Sequence, residues 1–134
     1  IANDLPRSGC EESLLPALEN VLLAYSVRNP KIGYCQSMNF IAATFLLYCR
    51  EEHAFWILCS VIEDLLPSDY YTEMLTGLRA DLRVFNWCLQ QFLPQLGQSF
   101  ARSGIDVAPI LMNWFMCLFV NTLPAEHAHR VLDC

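Results

Sequence analysis

Residues 37–49 are apolar almost all the way round a helix: Met38, Phe40, Ile41, Phe45, Leu46, Leu47 and Tyr48 leave no continuous polar face. Such a helix belongs at the centre of a fold, with other elements packed around it. The rest of the chain supplies helices for that role. Leu14, Leu18, Val21, Leu22 and Tyr25 recur at spacings of three and four, which makes one apolar stripe. No strand-like alternation bounded by hairpin signals appears anywhere. The expected fold class is all-α, an irregular multi-helix arrangement.

The breakers set the boundaries. Pro16 is tolerated only in a first turn, so the first long helix should start near Ser13 and stop at Asn29-Pro30, with Gly33 turning the chain. Glu51 and Glu52 open another helix that runs through Phe55, Leu58, Ile62 and Leu65 to Pro67. Ser68 and Asp69 offer a cap for a longer helix carrying Leu75, Leu78, Leu82, Phe85, Leu89 and Phe92. Gly77 reads as a weak point in it, costing roughly 1 kcal/mol relative to Ala. Pro94 breaks the chain, residues 95–102 form a short helix closed by Gly104, and Asp106 caps a run over residues 110–120. Leu123-Pro124 opens a last partial helix.

The 134 residues fit one domain spanning 1–134, and 54% apolar composition is ample for a core. That fraction is high enough to suggest that some faces pack on segments beyond this stretch. The expectation is the larger part of a domain, incomplete at one or both ends.

Eight basic residues (seven Arg, one Lys) against fourteen acidic ones give a net charge of −6. With no basic stripe among aromatics, nucleic acid is disfavoured as a partner. The longest apolar run, residues 107–120, is interrupted by Pro109 and Asn113 and falls short of the ~20 residues of a membrane span, so no direct membrane insertion is expected. Seven cysteines, an odd number without a Cys-x-x-Cys pair, fit a reducing cytoplasmic compartment better than a disulfide framework.

Two positions stand apart from this apolar background. Arg7 and Gln36 lie in short segments, residues 1–7 and 33–39, joined by one helix-length stretch. Arginine and glutamine are the side chains a P-loop GTPase needs beside its γ-phosphate: one neutralises phosphoryl charge, the other orients the attacking water.

Ile1-x-x-Asp4-x-x-Arg7-Ser8 and Tyr34-x-Gln36-x-Met38-Asn39 resemble the first two signature motifs of TBC domains, the GTPase-activating domains acting on Rab-type small GTPases. Trp114-x-x-x-Leu118-Phe119, Leu123-Pro124 and Arg130-Val-Leu-Asp133 resemble the third. Two residues depart from the family pattern: Ser37 stands where glycine is usual, and Leu132 where tryptophan is usual. Serine at 37 is expected to be tolerated as a small helix cap. The resemblance implies a dual finger, with Arg7 stabilising transition-state charge and Gln36 positioning water in trans. Asp4 would hold the guanidinium, Tyr34 would brace the Gln36 loop, and Asn39 would bond a loop or neighbouring backbone. Gln36 also precedes a helix N-terminus, a favourable place for an anion. The chain itself needs no cofactor; GTP and Mg²⁺ belong to the partner GTPase. Its place is cytoplasmic, peripheral to endomembranes through the partner or further domains.

Other readings stand beside this one. The fold could bind a GTPase or another protein as a scaffold without accelerating hydrolysis. Arg7 could be a surface arginine paired with Asp4, and Gln36 a helix cap. Cys35 could serve a thiol hydrolase, though such a site needs a histidine and asparagine from elsewhere. His127, His129 and Cys134 make a poor metal set, because positions two apart on a helix diverge by about 200°. Trp56, Trp87 and Trp114 read as packing residues.

Overall fold

A computed structural model describes residues 1–133, and it is helical from end to end with no strand among them. A 3-10 helix, Ala2–Ser8, opens the chain and stops at Gly9, whose φ of 73° a glycine adopts without strain. A short 3-10 turn, Glu12–Leu14, then leads into α1, Leu15–Arg28. Pro16 falls in the first turn of α1, where its missing N–H costs nothing. The stripe expected on α1 is the buried one: Leu18, Val21, Leu22 and Tyr25 are all at most 1% exposed.

The all-apolar segment forms α2, Met38–Leu46. Met38, Ile41, Ala42, Ala43 and Leu46 disappear into the core, and α1 and α3 (Glu51–Ser60) pack against it. α3 runs straight into a π-helical turn, Val61–Leu65, before Leu66-Pro67 ends it. Arg28 at the end of α1 reaches across to Glu63 on that turn, with Nη2 3.0 Å from Oε2.

α4, Thr76–Phe92, starts later than Ser68 and Asp69 suggested. Residues 66–75 fold instead as turns, because Tyr70 and Tyr71 are drawn into the core at 2% and 3% exposure. Gly77 is a contact point rather than a flaw. A Cβ there would lie 2.9 Å from Asp69 Oδ1 and 3.2 Å from both Pro67 Cβ and Tyr70 Cδ2, so the glycine lets α4 close onto this turn.

α5, Pro94–Arg102, follows, and Ile105 N–H reaches back to the Phe100 carbonyl past Gly104 at φ 64°. Asp106 Oδ1 accepts from Ala108 N–H at 3.0 Å at the start of α6, Ala108–Met116. That helix ends short of Val120 because Leu118 and Phe119 both take left-handed φ values, 48° and 66°. α7, Ala125–Leu132, comes last. Among the described residues no helix is long and apolar enough to cross a membrane.

The core thus centres on α1, α2 and α3, with Tyr70 and Tyr71 sealing one end. Trp56 and Trp87 are not core residues: they are 51% and 57% exposed. Trp56 lies under the Arg28 guanidinium, 5.2 Å from its carbon to the ring centroid, and Trp87 meets Phe92 edge-on.

Candidate functional site

The opening 3-10 helix turns once every three residues, so Asp4 and Arg7 stand on one face of it. Arg7 Nη1 lies 3.4 Å from Asp4 Oδ1; the arginine side chain is 69% exposed and the aspartate 17%. The other Asp4 oxygen accepts a hydrogen bond from the Tyr34 phenol at 2.9 Å. Burial, then the adjacent Asp4 charge, push the Tyr34 pKa above the ordinary tyrosine range. Tyr34 is therefore a standing donor to that carboxylate at physiological pH.

A second tie runs beneath the first. Asn39, 1% exposed on α2, donates through Nδ2 to the Asp4 carbonyl at 3.0 Å. Its Oδ1 accepts from the Ser37 N–H at 3.2 Å. One buried amide thus joins the backbone of the Arg7 segment to the backbone of the Gln36 segment. Such a residue holds two pieces of irregular chain in register, because both backbone groups lose water and need a partner.

Gln36 occupies the tip of this arrangement. It is exposed and its side chain makes no hydrogen bond among the described residues. It borders a hollow of about 220 Å³ lined also by Ser37, Phe40, Asn113, Met116 and Cys117. α6 reaches this hollow because the buried Tyr71 hydroxyl donates to the Met116 carbonyl at 2.7 Å. Sequence reasoning named neither Tyr71 nor this wall; their contact joins residues 45 apart, and no local pattern signals it. A larger hollow of about 540 Å³ lies between α4, α5 and residues 105–107, and neither Arg7 nor Gln36 lines it.

Two sequence expectations need correction, and one rival reading loses its footing. Ser37 is not a side-chain cap for α2: its hydroxyl makes no capping bond and its φ is 104°. The α2 N-terminus is a poor anion seat, since Ser37 N–H already bonds Asn39 and Met38 N–H bonds the Cys35 carbonyl at 3.2 Å. Cys35 is unsuited to nucleophilic chemistry, because burial pushes its thiol up, away from the thiolate, and no histidine hydrogen-bonds it among the described residues.

His127 and His129 are engaged elsewhere. His129 Nδ1 sits 2.9 Å from the Tyr48 hydroxyl, and His127 lies 3.6 Å from Glu126. Among the described residues no three His, Cys, Asp or Glu side chains could hold a metal ion; Cys134 lies outside them.

Comparison with known proteins identifies the family of the chain. The family model for the Rab-GTPase-TBC domain matches residues 1–134. The chain belongs to that family. TBC1 domain family member 2B of Xenopus tropicalis is 45% identical over 116 residues, covering 87% of this chain. The human and mouse proteins of the same name are each 42% identical over the same length. The chain spans 12% of the length of each of these relatives. A solved structure, the Chlamydomonas flagellar RabGAP TBC domain, is similar with a TM-score of 0.80 and 35% identity, over 92% of this chain and 40% of that one.

Within this TBC domain the third motif lies on α6 and α7 and in the turn between them. Trp114 is half-buried beside the strained Leu118-Phe119 pair, and Leu132 is half-buried near the end of α7.

Proposed function

We propose that this TBC domain accelerates GTP hydrolysis on a Rab-type small GTPase by lending it two side chains, Arg7 and Gln36. The observation that carries the reading is the Asn39 bridge. Its amide bonds the backbone at Asp4 and at Ser37, so two exposed polar side chains hang from one shared framework. A buried bridge between two loops is costly to maintain unless their relative placement matters.

The chemistry then follows from charge. As the γ-phosphoryl group transfers, negative charge spreads over its oxygens, and catalysis consists of placing positive charge and an aligned water. Arg7 leaves its long contact with Asp4 and enters the nucleotide site of the GTPase. Asp4, anchored by Tyr34, holds the arginine extended until then. Gln36 orients the hydrolytic water through its carboxamide. An arginine supplied in this way is worth ~10³–10⁵ in rate, roughly 4–7 kcal/mol of barrier. GTP and Mg²⁺ arrive with the GTPase, and the TBC domain needs no cofactor of its own. The partner places this work on the cytoplasmic face of endomembranes.

Phosphate release from a panel of GTP-loaded Rab-type GTPases tests the reading. Arg7→Ala and Gln36→Ala should each lower the rate at least roughly tenfold with unchanged thermal stability. Binding without acceleration, equal in wild type and both variants, would instead make the domain a scaffold.

A further inference from the structure

The turn that presents Gln36 carries a side chain where its geometry favours none. Met38 N–H donates to the Cys35 carbonyl at 3.2 Å and closes a four-residue turn with Gln36 and Ser37 at its centre. Ser37 has φ 104° and ψ −29°, while Gln36 has no positive φ. That is a type II turn, whose second central position suits glycine because a Cβ there meets the backbone. A second unfavourable feature falls on the same residue. Ser37 is 4% exposed, and its hydroxyl is buried without a hydrogen-bond partner. The nearest group is the Tyr71 phenol, which gives its own proton to the Met116 carbonyl.

Such a turn has a close conformational neighbour. Flipping the central peptide converts type II to type I, in which the second central residue relaxes to φ about −90° and ψ about 0°. Serine accepts those angles freely. The flip turns the Ser37 N–H away from Asn39 Oδ1 and gives up that one bond. The lost bond and its two buried partners are set against relief of the strained Ser37 φ, effects of similar size, which keeps the flipped form within reach.

We propose that Ser37 is a positioning residue: it keeps the Gln36 turn poised between the observed form and a flipped one, and so sets how much of the time the carboxamide faces the nucleotide. The inference rests on the activator reading above. A catalyst whose competent form is only partly populated works in proportion to that fraction. The effect falls on turnover rather than on docking, because the flip alters the tip that acts in the transition state.

The test is hydrolysis kinetics with the most responsive GTPase of a Rab-type panel, using Ser37→Gly and Ser37→Ala. Glycine should raise kcat by roughly threefold or more with KM little changed, since it removes both the Cβ and the hydroxyl. Alanine keeps the Cβ and should give a clearly smaller gain. The glycine gain should vanish in a Gln36→Ala background and persist in an Arg7→Ala background. An unchanged kcat for Ser37→Gly, or a gain that survives loss of Gln36, overturns the proposal. If wild type activates no GTPase of the panel, the activator reading fails by itself, and amide NMR decides about the turn. Microsecond-to-millisecond exchange at Ser37 and Met38 in wild type and Ser37→Ala, quenched in Ser37→Gly, upholds it; its absence from all three overturns it.

Discussion

Replacing Asn39 by alanine is the sharpest test of how the two proposed fingers, Arg7 and Gln36, are held. The side chain is 1% exposed and makes two bonds, from Nδ2 to the Asp4 carbonyl at 3.0 Å and to Oδ1 from the Ser37 N–H at 3.2 Å. Truncation deletes both and leaves two backbone groups without their side-chain partner. An intramolecular hydrogen bond contributes about 0.5–1.5 kcal/mol net, and an orphaned buried partner costs about 1–3 kcal/mol more. Asp4 is near enough to the surface for water to relieve its carbonyl, whereas Ser37 is buried. The expected loss is therefore about 2–4 kcal/mol, or about 8–16 °C in Tm for a domain of this size.

Activity should fall further than stability alone explains. At a temperature where the variant is folded, activation of the GTPase should drop by roughly tenfold to a hundredfold, because an ångström of misplacement is that expensive. Urea unfolding measures the first quantity through a lower midpoint at constant slope, and single-turnover hydrolysis measures the second. Asn39→Asp makes the argument more exacting. It keeps an acceptor for Ser37 N–H but sets a carboxylate oxygen against the Asp4 carbonyl, so it should be at least as harmful as alanine despite its matching shape. A loss below about 0.5 kcal/mol for Asn39→Ala, with wild-type hydrolysis, would refute the bridge as the device that aligns the site.

Three further outcomes follow. Tyr34→Phe removes the phenol from Asp4 and should cost about 1–2 kcal/mol by urea unfolding while lowering kcat several-fold; an unchanged kcat would mean Asp4 needs no brace. Gly77→Ala should destabilise by about 1–2 kcal/mol even though alanine is the better helix former, because the new methyl meets Pro67 and Tyr70 at 3.2 Å; a rise in Tm would refute the close contact. Stability should hold to about pH 9 and decline above it. Burial lifts the Cys117 thiol up to about 11 and the Tyr25 phenol up to about 12, and raises Tyr34, Tyr70 and Tyr71 as well. These groups stay neutral when folded but ionise in the unfolded chain from their ordinary values of about 9 and 10, so the stabilisation is full below that range and is lost as pH rises through the folded values. Urea midpoints that stay level to pH ~11 would contradict it.

The helices were legible because their signals are local. The stripe from Leu18 to Tyr25 and the unbroken apolar run in α2 identify buried faces without knowledge of what covers them. Boundaries failed where a distant contact decided. Ser68 and Asp69 look like a cap, yet α4 waits until Thr76 because the core claims Tyr70 and Tyr71 first. Gly77 looks like a weak point for the same reason: the neighbours that forbid a side chain there are invisible to a helical pattern. At the candidate site the motif spacing brought Arg7, Asp4, Tyr34, Gln36 and Asn39 forward, but nothing local reveals that α6 walls the hollow beside Gln36. The positive φ at Ser37 is equally hidden, since serine reads as an ordinary cap candidate.

On the proposed reading the site divides its work between residues that hold and residues that act, and burial sorts them. Asn39 is almost inaccessible and doubly bonded, and Tyr34 is half-buried with its proton committed to Asp4. Arg7 and Gln36 are exposed: among the described residues the arginine has one long ion pair and the glutamine side chain no hydrogen bond. A helical domain that borrowed its nucleotide from a partner would need this division, because side chains that must enter another protein's active site cannot be tied down in their own. Their precision has to come from the backbone beneath them. Ser37 is where that backbone is least secure, so the substitution Ser37→Gly alters the holding layer without touching either acting side chain. Its effect on turnover therefore weighs how much of the catalysis lies in placement, and how much in the guanidinium and carboxamide themselves.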